Sequence, residues 1–205
     1  MSTATKVVLI LAAIFGGFVM LCCGGLAWFG WRAQQSVIRD PDGVREATAT
    51  IAEIEIPERF RPVGGLDTQR LPVVGRFMPG GMRMVMYESP SGGALMLMAL
   101  DRELLAGEDD PETLMRRMLE QQKAPRRPHQ VEVDPDDAVV REFEVRGRTV
   151  PFQFTKARDE KSGVAGRQVM GVFDAQDGNS AILVIFVPET EYDEAEIVRI
   201  IESIE

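Results

Sequence analysis

The apolar and polar positions divide this chain into two unequal parts. From Val7 to Trp31 no residue is charged, a run of 25 positions bounded by Lys6 and Arg32. A helix crossing ~30 Å of hydrocarbon needs about 20 apolar residues, so this run is long enough to span with some tilt. Trp28 and Trp31 close it, where an indole buries its ring in the headgroup belt and keeps its N–H wet. The pattern predicts a tail over 1–6, a transmembrane anchor over 7–31, a linker over 32–43 and one soluble domain over 44–205.

Within the domain the period changes repeatedly. Asp40-Pro41 reads as an N-cap followed by proline at the first helical position, and Val44, Ala47, Ile51 and Ile54 continue as one helical stripe. Ile54-Glu55-Ile56 then alternates and predicts the start of a strand. Met82 to Tyr87 and Ala94 to Leu100 read as strands joined by the turn-forming Ser89-Pro90-Ser91-Gly92-Gly93. Asp110-Pro111-Glu112 predicts a second helix, with Leu114, Met115, Met118 and Leu119 on one face, ending before Pro125. Four more strand patterns follow, at Val139–Val145, Thr149–Thr155, Gln168–Phe173 and Ala181–Val187. Arg146-Gly147-Arg148 and Asp177-Gly178-Asn179 supply tight turns. Thr190 or Asp193 caps a closing helix whose face is Ile197, Val198, Ile201 and Ile204. Successive hairpins with helices near the start, middle and end predict an α+β fold around an antiparallel sheet of about six or seven strands.

Two other readings of the apolar run compete. A cleaved signal peptide would use Gly25-Leu26-Ala27, but its apolar stretch is normally roughly 7 to 15 residues. Lipidation at Cys22 or Cys23 lacks the small residues usual before such a cysteine, since Val19-Met20-Leu21 precede them. Orientation is set by two opposed signals. The basic residues do not favour a cytoplasmic tail, whereas a six-residue tail before such an anchor normally stays inside while a long domain is exported. The expectation is a single-pass protein of the inner (cytoplasmic) membrane with its domain exported.

Charge narrows the partners. Residues 40–205 hold 20 of the 23 basic residues and all 32 acidic ones. That acidity argues against nucleic acid and against adhesion to anionic lipid. Another envelope protein is the expected partner. Both cysteines lie in the apolar run, so the domain has no thiol or disulfide chemistry.

The methionines carry the sharpest candidate chemistry. Met78, Met82, Met84, Met86, Met96 and Met98 fall within 21 residues. Soft thioethers select Cu(I), and Met82, Met84 and Met86 would share one face of a strand. Met96 and Met98 join that face if Met86 pairs with Met96, and leave it after a one-residue slip. The competing reading is that methionine, an adaptable filler, simply packs the core. No cofactor is expected. His129 is the only histidine, so a zinc site of usual type and a Ser-His-Asp triad both lack partners. Asp134-Pro135-Asp136-Asp137 and Asp174 to Asn179 lack the ligand spacing of a calcium loop and read as acidic turns. No phosphate loop is present. Phe60 and Phe77 sit in the Gly- and Pro-rich region 57–81, either as part of a partner surface or, for Phe60, as a side chain tacking a loop to the core.

Ile54-Glu55-Ile56-Pro57-Glu58-Arg59-Phe60 resembles the opening "strand, Pro, acidic, x, Phe" of PsbP-like domains. The run Ala181-Ile182-Leu183-Val184 leading into a final helix that ends Glu202-Ser203-Ile204 resembles their close. That fold is an α-β-α sandwich shared by the extrinsic photosystem II protein PsbP and a nuclear-import Ran-binding factor. Many bacterial envelope proteins look similar, with one membrane helix before such a domain. The resemblance covers roughly residues 44–205 and implies a non-enzymatic binding or accessory module. No functional residue carries over with it. A Cu(I)-handling module using the hairpin 78–98 is the alternative, with Met82, Met84, Met86, Met96 and Met98 as ligands.

Overall fold

The computed structural model describes residues 36–70, 81–100, 131–133, 137–160 and 162–205. The expected anchor, the helix over 110–124, His129, Phe77 and Met78 lie outside them. Among the described residues, no helix is long and apolar enough to cross a membrane.

Among the described residues, nine strands form one antiparallel sheet, two or three more than the periodicity predicts. In chain order they are β1 Val37–Ile38, β2 Arg61–Asp67, β3 Met82–Glu88, β4 Ala94–Leu100, β5 Val131–Val133, β6 Val139–Val145, β7 Arg148–Asp159, β8 Ala165–Asp174 and β9 Ser180–Pro188. Across the sheet the order is β1-β2-β3-β4-β9-β8-β7-β5, with β6 also pairing β7. The twelve-residue β7 makes this possible. One edge pairs β8, and the other pairs β6 along its first half and β5 at its end.

The additional strands have physical reasons for escaping the pattern. β1 is two residues long and lies in the stretch 32–43 expected to be linker, as does the first turn of helix α1 (Pro41–Ile51). β2 carries Pro62, Gly64 and Gly65, which weaken a strand signal but suit a position near the sheet edge. A Cβ at Gly65 would stand 2.8 Å from the Met84 carbonyl oxygen, so the close approach of β2 to β3 requires glycine there. The register shifts between Pro62 and Gly64, which leaves Val63 as the extra residue of a bulge.

Ile54-Glu55-Ile56 is extended yet belongs to no sheet strand, which corrects the expectation there. Glu53 and Glu205 instead exchange backbone bonds of 3.2 and 2.9 Å, and Glu55 N donates to Ser203 Oγ at 2.9 Å. Alternation marks one side of an extended segment as buried, and Ile54 and Ile56 do pack on the core. It does not name a hydrogen-bonding partner.

Both described helices begin as their capping residues predict. Asp40 accepts from Gly43 N at 2.5 Å before Pro41, and Asp193 accepts from Ala195 N at 2.9 Å to open α2 (Glu194–Glu202). Glu194 and Glu196 in the first turn of α2 complement the positive end of its dipole. Val44 and Ile51 of α1, and Ile197, Ile200 and Ile201 of α2, bury against one face of the sheet. On that face lie Val85, Leu97, Phe152, Phe173, Leu183 and Ile185, none more than 1 % exposed. Burying each such side chain contributes about 1.5–3 kcal/mol. Gly171 lies directly beneath the Phe152 ring, where any Cβ would collide with it. The hairpins close as expected, with Arg146 and Gly147 at φ 51° and 71° and Gly178 at φ 82°.

Candidate functional site

The opposite face of the sheet holds the methionines. Met86 pairs with Met96, Met84 with Met98, and Met82 with Leu100, so the register that unites all five candidates is the one adopted. The rows continue across the sheet. Met98 lies opposite Ile182, and Met96 opposite Val184, which in turn faces Met170. All six methionines among the described residues therefore share this face, and none enters the core beneath the helices. Directly opposite side chains start about 4.5–5.5 Å apart at Cβ, within reach of two flexible thioethers. Met82, Met84, Met96 and Met98 are half-buried, and Met86 is 36 % exposed. Its neighbour on β2 is Gly64, which offers no side chain to cover it. Toward β8 and β9 the same face is closed, with Met170, Val172 and Ile182 at 3 % exposure or less. Among the described residues, no group of three His, Cys, Asp or Glu could hold a metal ion.

A second candidate lies on the helix side. A groove of about 790 Å³ opens between the C-terminal half of α1, the segment 52–62 with its turn at 57–60, and Ser203 and Glu205. Its walls mix apolar side chains, such as Ala49, Ile54 and Ile56, with charges of both signs: Glu53, Glu55, Glu58 and Glu205 against Arg45 and Arg61. Tyr87 reaches its inner wall and meets Thr48 with 2.6 Å between the hydroxyl oxygens. Thr48 already gives its single proton to the Val44 carbonyl at 2.8 Å, so Tyr87 is the donor. Burial pushes the Tyr87 phenol above its ordinary value. Tyr87 is thus a fixed neutral donor and no general base near neutral pH.

Phe60 and Arg59 hold this segment down. Phe60 is 4 % exposed and belongs to the core, so it tacks the loop in place. Arg59 stacks on the Phe60 ring at 5.0 Å, pairs closely with Glu196 of α2 and donates to the Glu191 carbonyl at 3.2 Å. Ser91 of the β3–β4 turn binds the Glu191 carboxylate, tying the same corner to the hairpin.

The remaining acidic candidates are structural. Asp137 accepts from Lys156 N at 3.3 Å and Nζ at 2.8 Å, and the Lys156 bond holds its carboxyl below the usual range. Asp174 pairs with Arg148, and Asp177 closes its own turn through Asn179 N at 3.1 Å. Arg141 stacks on Phe154 at 4.9 Å and binds Glu194 at 2.5 Å, lowering that carboxyl. Asp134, Pro135 and Asp136 lie outside the described residues.

Sequence reasoning brought the methionines together conditionally, and the register meets the condition. It missed the groove, because Thr48 and Tyr87 are 39 positions apart and Glu55 and Ser203 are 148 apart. Only the inward alternation of Ile54 and Ile56 signalled it. Compared with known proteins, the chain matches no family model, and no curated protein matches it.

Proposed function

We propose that this chain is a non-enzymatic binding or accessory module of the cell envelope, anchored in the cytoplasmic membrane by Val7–Trp31, and that the groove beside α1 receives its partner. The groove carries this reading. Its volume of about 790 Å³ falls within the usual range of ligand sites, roughly 300–1,000 Å³. Its apolar inner wall, with more carboxylates than guanidiniums around it, suits an extended protein segment bearing apolar side chains and polar or basic ones. The antiparallel sheet with a helix near its start and another at its end supports the resemblance to PsbP-like domains, whose members serve as binding or accessory modules more often than enzymes.

The test is photo-cross-linking in intact membranes from a benzophenone side chain at exposed Glu55, beside a control at exposed Glu142 on the distant β6. A discrete adduct at 55, absent at 142 and lost on Ala49→Trp, is the expected result. Ala49 is exposed on the groove wall, so tryptophan there fills the groove without entering the core. Equal labelling from both positions, or an adduct indifferent to Ala49→Trp, would sink the assignment.

One observation favours a second reading, a Cu(I)-handling module. The register sets Met86 beside Met96 and Met84 beside Met98 on a half-open face. Competition against a chromogenic Cu(I) chelator should then show binding that disappears when Met82, Met84 and Met86 are replaced by leucine. Unchanged affinity removes this reading.

A further inference from the structure

Three of the large apolar side chains that stand exposed cluster at one corner of the sheet. Val37 on β1 is 40 % exposed, Val63 at the β2 bulge 51 %, and Met86 on β3 36 %. The register places Val37 opposite Leu66 and Leu66 opposite Met84, two positions along β3 from Met86, while Val63 is the unpaired bulge residue next to Gly64, which faces Met86. With glycine at 64 and no strand recorded beyond β1, nothing among the described residues covers this corner. Monomeric surfaces usually keep such side chains scattered, and a cluster marks something that lies against it.

The chain itself indicates what that is. Ser36, the first described residue, is 2 % exposed and immediately precedes β1. Only residues 32–35 separate it from Trp31, the end of the uncharged run, a reach of roughly 17 Å at full extension. The stretch 32–39 carries Arg32 and Arg39 and no carboxylate, whereas the rest of the domain is acidic. So the open apolar corner, the short leash and the locally basic segment all meet at one end of the sheet.

We propose that the corner formed by Val37, Val63 and Met86 rests in the interfacial layer of the bilayer that holds the anchor. This rests on the reading of Val7–Trp31 as a transmembrane segment. A covalent leash this short raises the effective concentration of the corner at the bilayer, so a small apolar contact suffices to dock it. Docking fixes the orientation of the domain. The methionine face tilts toward the lipid, and the groove on the helix side turns away from it.

Nitroxide labels on the full chain in phosphatidylcholine nanodiscs test this, with Cys22 and Cys23 replaced by serine. Labels are placed singly by Val19→Cys in the apolar run, Val63→Cys at the corner and Val140→Cys on β6, which is 57 % exposed at the other end of the sheet. Accessibility to oxygen and to a water-soluble nickel chelate is read at each. The expected result is a lipid-like ratio at 19, a ratio at 63 several-fold above that at 140, and return of 63 to the value of 140 when Val37→Asp is added. A lipid-like 19 with 63 matching 140 overturns the docking and leaves the anchor standing. A water-like 19 overturns both. Protection of 63 in native membrane vesicles but not in the lipid-only discs assigns the corner to a protein partner and overturns the proposal.

Discussion

The two faces of the sheet are built from different side chains, although the same strands supply both. Beneath the helices stand branched and aromatic residues with few rotamers, such as Val85, Leu97, Phe152 and Ile185, all sealed from water. On the other face, one position along each strand, stand Met84, Met86, Met96 and Met98, none of them sealed. Stiff side chains specify a single packing, whereas an unbranched thioether adapts to whatever covers it. The helix face therefore defines the fold. The methionine face is the more adaptable of the two in its packing.

Neighbours on β4 give the sharpest way to break that contrast. Leu97→Ala removes a fully buried side chain under the helices and should cost about 2–5 kcal/mol in urea unfolding. Met96→Ala, one residue away on the half-open face, should cost no more than about 1 kcal/mol, because its site already meets solvent. Equal losses would mean the two faces are sealed alike. Next in size, Tyr87→Phe should lower stability by about 1 kcal/mol while leaving the Thr48 bond to Val44 intact. An unchanged midpoint would show that water replaces the phenol bond.

Smaller again, Met84→Leu and Met86→Leu should each shift stability by less than about 1 kcal/mol, since volume is conserved and the sites are partly open. A larger loss at either would place these methionines in a core as demanding as the other face. The smallest effect concerns Glu194 at the opening of α2. Its carboxyl is held below its ordinary value of 4.5, first by the Arg141 bond. The ionised form therefore favours the folded state above that value, and the benefit disappears as pH falls through the lowered one. Glu194→Gln should flatten the loss of unfolding midpoint between neutral and acidic pH, and a parallel decline in both proteins would remove the effect.

Legibility of the sequence followed the same division of physics. The hairpins over 82–100, 139–155 and 168–187 were readable because alternation and turn glycines act locally. The caps at Asp40 and Asp193 were readable for the same reason. β1, β2 and β5 escaped because a strand of two or three residues, or one rich in glycine and proline, carries almost no periodic signal. At Ile54–Ile56 the alternation reported a buried side correctly but not the partner, which is the distant chain end at Ser203 and Glu205. The methionine trio on β3 could be placed on one face from spacing alone, whereas its union with Met96 and Met98 depended on a register that spacing leaves open. The groove was illegible as a unit because its walls meet only through tertiary contacts.

The seam between β4 and β9 has a further consequence, for how the chain folds. Leu100 lies opposite Ser180, so 80 positions separate partners at the near end of this pairing. Closing so long a loop adds little to the equilibrium cost, which grows only with the logarithm of length, but it delays the encounter. During synthesis, β4 emerges long before β9 exists, and its Ala-Leu-Met-Leu-Met-Ala-Leu edge has to wait unpaired. A strand so apolar and uncharged is a template for the wrong neighbour, which makes assembly rate, more than final stability, the vulnerable property of this molecule.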